Sequence, residues 1–276
     1  MELTLPVTLA VLGGALLHAA WNTLVKSSQD KELDTCAVAA GSGLIALFAL
    51  PFVAAPAAAA WPWLAASSAV HILYFLFLAG AYRHGELSYV YPVMRGGGPI
   101  IVAATGAFAF AETLRAGEWL GVLLICGGIL ALASGAHDRR ATLFAVANAA
   151  VIGAYTLIDA TGARASGAPV GYTLWFFVAM AVVVLAMGGA RRGGALPRYL
   201  ANHWTRTLVG GACSVGSYGI ALWAMTLAPV ALVAVLRETS VIFAAVLAAL
   251  VLKEKLTRRR LFATGAVLAG LIVLKI

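Results

Sequence analysis

The chain has 276 residues, 62% of them hydrophobic and only 11% charged, with a formal net charge of +8. A soluble domain carries about 25% charged residues, so a water-soluble globule is a poor fit. Apolar runs of roughly 20 residues recur, which suits a helical membrane protein rather than the alternating segments of about 10 residues in a membrane barrel. The basic residues sit in short loops between the runs, where topology explains them better than nucleic acid does.

Ten spans are predicted, at about 6–25, 35–54, 61–82, 88–110, 117–134, 141–158, 169–188, 204–226, 229–252 and 260–275. The breaks have distinct causes: 26–34 is polar, 56–62 is Pro/Ala-rich and 137–140 is charged. The longest loop, about 189–203, holds Arg191, Arg192, Pro197 and Arg198. The N-terminal Met-Glu-Leu-Thr-Leu-Pro lacks the basic region of a cleaved signal peptide, so the first run reads as a retained helix. Cys36, Cys126 and Cys213 fall in three different runs. They read as packing residues, with neither metal spacing nor a disulfide framework.

Arg95 and Arg237 lie deep in apolar runs at an offset of 142 residues. The same offset carries Glu112 onto Glu254, Leu114 onto Leu256 and Gly128 onto Gly270. It places the fourth span on the ninth and the fifth on the tenth. A weaker match sets Trp21-Asn22 on Tyr155-Thr156. The chain therefore reads as two five-helix repeats, 1–140 and 141–276. Five is odd, so the second half enters the membrane from the opposite side, as in many secondary transporters. Fourteen of the 19 Lys and Arg residues follow odd-numbered spans, three follow even-numbered ones and two are intramembrane. The positive-inside rule then predicts a multi-pass protein of the cell inner membrane with both termini outside the cytoplasm.

The paired segments Glu112-Thr113-Leu114 to Gly128 and Glu254-Lys255-Leu256 to Gly270 resemble the repeats of the drug/metabolite transporter superfamily, in its EamA branch. The resemblance covers essentially the whole chain. It implies an all-α membrane protein of ten transmembrane helices, a 5+5 inverted repeat around a central cavity. It does not imply one substrate, because the superfamily carries amino acids, sugars, nucleotide sugars, organic anions and toxic cations. Many relatives keep both termini in the cytoplasm, whereas the charge count here points the other way.

An intramembrane arginine needs a partner, a wet cavity or a ligand. Arg95 stands in Tyr-Pro-Val-Met-Arg-Gly-Gly-Gly-Pro, with Tyr91 one turn before it and Pro92 and Pro99 predicting a helix that kinks or opens. Arg237 offers a planar fork for a carboxylate or phosphate. Its neighbour Glu238 points about 100° away, so it is free to titrate or to brace Arg95. His18, Trp21 and Asn22 on the first span either line a cavity or tie helices together. His18 can also take a proton, but it has no second ligand at helical spacing for a metal. Asn148, Ile152, Tyr155 and Asp159 form one helical stripe, with Asp159 read as interfacial because it lies at the predicted span end. His71, Tyr74 and Tyr82 on the third span, and Ser214, Tyr218 and Trp223 on the eighth, read either as ligand contacts or as packing residues and interface anchors. Glu112 and Glu254 should part to opposite surfaces and serve as helix caps or partners of loop cations.

These features predict a secondary transporter of a small polar solute, anionic or zwitterionic, with candidate site residues Arg95, Arg237, Glu238, Tyr91, His18, Trp21, Asn22, Tyr155, Tyr218 and Tyr74. The expected partners are that solute, the lipid bilayer and room for a coupling proton, with no nucleic acid, no cofactor and no metal; the oligomeric state is open. No Gly-x-x-x-x-Gly-Lys-Ser/Thr occurs, so energy would come from an ion gradient or exchange. The alternative within transport is a proton-coupled exporter of lipophilic cations, as in small multidrug resistance relatives. That pattern wants a lone carboxylate on the first span, and this chain has none there. An enzyme is disfavoured, since no His-Glu-x-x-His, Gly-x-Ser-x-Gly or carboxylate cluster occurs.

Overall fold

The computed structural model describes residues 3–251, 253 and 257–274, and every named element among them is helical. The order is α1 (Leu5–Ser27), α2 (Lys31–Ala49), α3 (Trp61–His84), α4 (Leu87–Phe110), α5 (Ala116–Leu130), α6 (Arg139–Ser166), α7 (Pro169–Arg192), α8 (Ala195–Asn202), α9 (Trp204–Met225), α10 (Val230–Arg237), α11 (Ser240–Leu250) and α12 (Arg258–Val273). Short 3₁₀ turns sit between α2 and α3. Helices suit this composition because each closes its own backbone hydrogen bonds, leaving none to lipid.

Local signals set several ends. Asp30 caps α2 by accepting from the Leu33 N–H at 3.0 Å, and Asp138 caps α6 through the Ala141 N–H at 2.7 Å. Glu118 reaches back to the Arg115 N–H at 2.6 Å at the start of α5. These carboxylates satisfy amides that the first helical turn leaves open. Gly167 ends α6 in the left-handed region, with φ of 61°.

Eight helical segments are long and apolar enough to cross a membrane, the last being α10 and α11 taken together. α5 has 15 residues and α12 has 16. A 15-residue helix rises about 22 Å, short of a hydrocarbon core of about 30 Å. Three predicted features are revised. The ninth span is two helices, interrupted at Glu238 and Thr239. The long loop contains α8, whose Leu196 is buried against Leu33 and Cys36. The sixth helix continues to Ser166, well past the predicted end at 158, because Ala160, Gly162 and Ala163 carry it onward against neighbours.

α6 packs on α3 and α4, while α1 packs on α9, α10 and α11; α2 lies against α7 and α9, and α5 against α12. Small residues permit the closest crossings. Gly41 of α2 faces the Thr207 carbonyl, and a side chain at Gly211 of α9 would come within 2.5 Å of the Ser42 amide nitrogen. α10 is apolar and buried from Val230 through Leu236, so the chain reaches the polar pair Arg237-Glu238 from inside the core.

Candidate functional site

The break after α10 places two charges at its end. Glu238 and Thr239 donate their amides to Val235 and Leu236, in tight turns rather than the α pattern. Arg237 closes α10 and Glu238 follows it, 4% exposed. Across from them, Arg95 Nη2 on α4 lies 3.0 Å from Glu238 Oε1. The pair leaves one orphan on each side, since Arg95 Nε and Glu238 Oε2 are buried without a hydrogen-bond partner among the described residues. Arg237 forms no ion pair among the described residues; its guanidinium instead lies over the Tyr218 ring, 5.1 Å from the centroid.

α4 does not open at its prolines. It is continuous from Leu87 to Phe110, with Pro92 and Pro99 inside it. Its glycines serve packing: a side chain at Gly96 would meet the Cys126 carbonyl at 3.0 Å, and one at Gly98 would meet Ile152 at 2.6 Å. The bracing α5 and α6 hold the helix together, so the irregular backbone falls on the other arginine's segment.

A narrow cavity joins these groups, lined on the polar side by Arg95, Arg237, Glu238, Tyr155 and Thr156. Its space for a water is about 10 Å³, close to the minimum for one molecule. Of the predicted residues, Arg95, Arg237, Glu238 and Tyr155 therefore meet at one place. Tyr218 supports Arg237, and Tyr74 stands edge-on to Tyr155 with ring centroids 6.0 Å apart. Tyr91 is half-buried one turn before Arg95. His18 lies within electrostatic reach of both arginines and packs on Trp21 at 5.2 Å. Asn22 donates to the His18 carbonyl at 2.8 Å, within its own helix. Trp21 and Asn22 do not line the cavity.

The helical stripe on α6 faces inward throughout. Asn148 is fully buried and donates to Met94 Sδ at 2.9 Å, while Ile152 and Tyr155 reach the cavity. Asp159 corrects the interfacial reading: it is 0% exposed, because α6 runs two turns beyond it. Its oxygens accept from Tyr172 at 2.9 Å and Tyr218 at 2.5 Å. The stripe was the signal for Asp159, and the misplaced span end hid it.

Ionic contacts tie both ends of the bundle. At one end Glu112 accepts from Arg164 at 2.6 Å and from the Val230 N–H at 2.8 Å, while Arg164 donates to the Met225 carbonyl at 2.8 Å. Glu112 therefore pairs with a cation, but with one in the last turn of α6 rather than in a loop; Glu254 lies outside the described residues. At the other end Arg206 pairs with Asp34 at 2.9 Å and donates to the Leu24 carbonyl, and Arg192 pairs with Asp30 and Glu32. There, the Leu33 amide and then Arg192 hold the Asp30 carboxyl below its ordinary range. α9 spans the two clusters, with Arg206 near its start and Met225 at its end, about 30 Å apart. Cys36 and Cys126 are buried and Cys213 half-buried, all as free thiols. No metal-ligating cluster occurs among the described residues.

A solved structure described as "Crystal structure of protein" has the same fold, with a TM-score of 0.71 at 18% identity over 98% of each chain. No curated protein matches the chain. The sequence model of the EamA-like transporter family matches residues 139–276, half of the chain. With its apolar helices and family match together, the chain belongs to the EamA-like transporter family of the drug/metabolite transporter superfamily, and it is a multi-pass membrane protein of the transporter class.

Proposed function

We propose that the chain is a secondary active transporter of a small organic anion or zwitterion, carrying a carboxylate, phosphonate or amino-acid-like group. The observation that carries this reading is Arg237, a cation at a helix break with no carboxylate partner among the described residues, beside the Arg95–Glu238 pair. Discontinuous helices at mid-membrane are a common place for transporter substrate sites. An arginine fork there recognises a planar anion. Glu238 would receive an ammonium group if the solute is zwitterionic, and Tyr155, Tyr91, Tyr74, Tyr218, His18, Trp21 and Asn22 complete the proposed surroundings.

Transport would proceed by alternating access of two inverted halves, residues 1–140 and 141–276, with ten crossings. Three features support this. The packing of α3 on α6 is matched by that of α9 on α1, and α4 on α6 by α10 and α11 on α1, as exchange of two equivalent halves requires. The family match begins at residue 139, at the start of α6. Ion pairs tie both ends around a cavity with room for about one water, as an occluded site requires, while a separate open cavity of about 530 Å³ lies beside Arg164. Ligand sites usually need about 300–1,000 Å³, so the space between the two arginines must widen to hold a solute. The loop charges favour the cell inner membrane with both termini outside.

The test is a thermal-shift panel of carboxylates, phosphonates and amino acids on purified protein, since a ligand of the folded state raises its apparent stability. Arg237→Gln should weaken the best anion at least about tenfold, the loss of one charge-assisted hydrogen bond of about 1.5–3 kcal/mol. A panel in which quaternary ammonium compounds bind and anions do not would overturn the assignment in favour of a cation exporter. Fluorescence from a cytoplasm-only reporter at the C-terminus would refute the orientation.

A further inference from the structure

Asp159 is a buried acid that anion capture by itself leaves without a task. It is 0% exposed, with Tyr172 of α7 donating to Oδ1 at 2.9 Å and Tyr218 of α9 donating to Oδ2 at 2.5 Å. From α3, His71 and Ser67 face it, and Tyr155 faces it from its own helix. His71 Nδ1 lies 2.9 Å from the Ser67 carbonyl, so that nitrogen donates; the ring packs on Tyr155 with centroids 4.2 Å apart. Arg237 of α10 lies over the ring of the same Tyr218 that holds Oδ2. Arg95 of α4 lies within electrostatic reach of Tyr155 and is already paired with Glu238. Among the described residues no lysine or arginine forms an ion pair with Asp159; its direct partners are neutral hydroxyls.

A charge held at that depth by hydroxyls alone is costly, and taking up a proton removes it. We propose that Asp159 is a proton-binding carboxylate of the transport cycle, linked through Tyr218 to anion capture at Arg237. This rests on the anion-transport reading above. A proton from bulk water bonds to Oδ1 or Oδ2, turning the carboxylate into a carboxylic acid, and returns to water on the opposite side after the anion leaves. The tyrosines keep their own protons. With Asp159 ionised, the interior charges of Arg95, Arg237, Glu238 and Asp159 cancel. With Asp159 neutral, one positive charge remains, which a bound anion balances. Proton and anion therefore favour each other, by the same factor in both directions.

The experiment is infrared difference spectroscopy of the full-length protein in lipid nanodiscs, titrated from pH 5 to 9. Methanesulfonate is the probe anion, because it has no carbonyl band and stays ionised across this range. The expected result is a protonated-carboxyl band that titrates in the wild type, persists in Glu238→Gln and disappears in Asp159→Asn. Saturating methanesulfonate should move its midpoint about one pH unit toward alkaline pH, the shift for tenfold coupling. Tyr218→Phe keeps the ring under Arg237 but removes a donor to the carboxylate, so its midpoint should also move to alkaline pH. It provides a second readout if Asp159→Asn fails to fold. A band that is absent, or unchanged in Asp159→Asn, overturns the proton site. A midpoint unmoved by methanesulfonate overturns the linkage, while loss of methanesulfonate binding in Arg237→Gln would leave the anion reading intact. Methanesulfonate binding that survives Arg237→Gln, with the Asp159 band still titrating, would defeat the anion reading and leave the proton site standing.

Discussion

Neutralising Glu238 tests whether the Arg95 pair braces the two halves. The charged atoms lie 3.0 Å apart, with side-chain exposures of 13% for Arg95 and 6% for Glu238. With charge centres about 4 Å apart and an effective dielectric near 20, their attraction is about 4 kcal/mol. Much of that is offset by the cost of removing both groups from water, so replacing the pair together is inexpensive. Removing one partner is different, because it strands the other charge. Glu238→Gln and Arg95→Gln should each destabilise the protein by about 3–5 kcal/mol. The double variant should lose about 2–3 kcal/mol less than the sum of the two, the size expected for residues in contact. Chemical unfolding in mixed micelles, on the wild type and three variants, closes the cycle. The orphaned Arg95 Nε and Glu238 Oε2 already carry part of the desolvation cost, which places the single variants toward the lower end of the range. Additivity within about 0.5 kcal/mol would refute the brace.

Glu112→Gln removes the charge facing Arg164 and should loosen the latch between the α4–α5 and α9–α10 turns. A cysteine placed at Thr156, in the cavity behind the latch, in a background without the native thiols, should then react faster with a water-soluble maleimide; unchanged labelling would count against the latch. Gly211→Ala puts a methyl group 2.5 Å from the Ser42 nitrogen and should cost about 1–3 kcal/mol, read as a lower unfolding midpoint. The Leu33 amide and Arg192 favour the ionised Asp30 carboxyl in the folded state. That contribution is complete above the ordinary carboxylate range and is lost as pH falls through the lowered folded value. Hydrogen exchange at the Leu33 amide should therefore quicken, relative to its intrinsic rate, only in strongly acidic solution.

The membrane class, most span positions and the two arginines within apolar runs were legible in the chain because each depends on local composition. Lipid gives every long apolar run the same solution, a helix, so little context is needed to predict one. The 142-residue offset likewise pointed to Arg95 and Arg237, and adjacency to Arg237 pointed to Glu238, before any packing was known. Proline and glycine suggested a segment that could open at α4, but α5 and α6 pack against it and it stays continuous. The span end at 158 misled on Asp159, since tertiary contacts carry α6 on to Ser166. Sequence alone thus determined which residues could not be indifferent to the membrane. Tertiary structure decided the partners: Glu238 for Arg95, Tyr218 for Arg237, and hydroxyls for Asp159. Burial cost belongs to a residue and its neighbours in chain, whereas the counter-charge or hydroxyl that meets it comes from another helix, at a distance only folding sets.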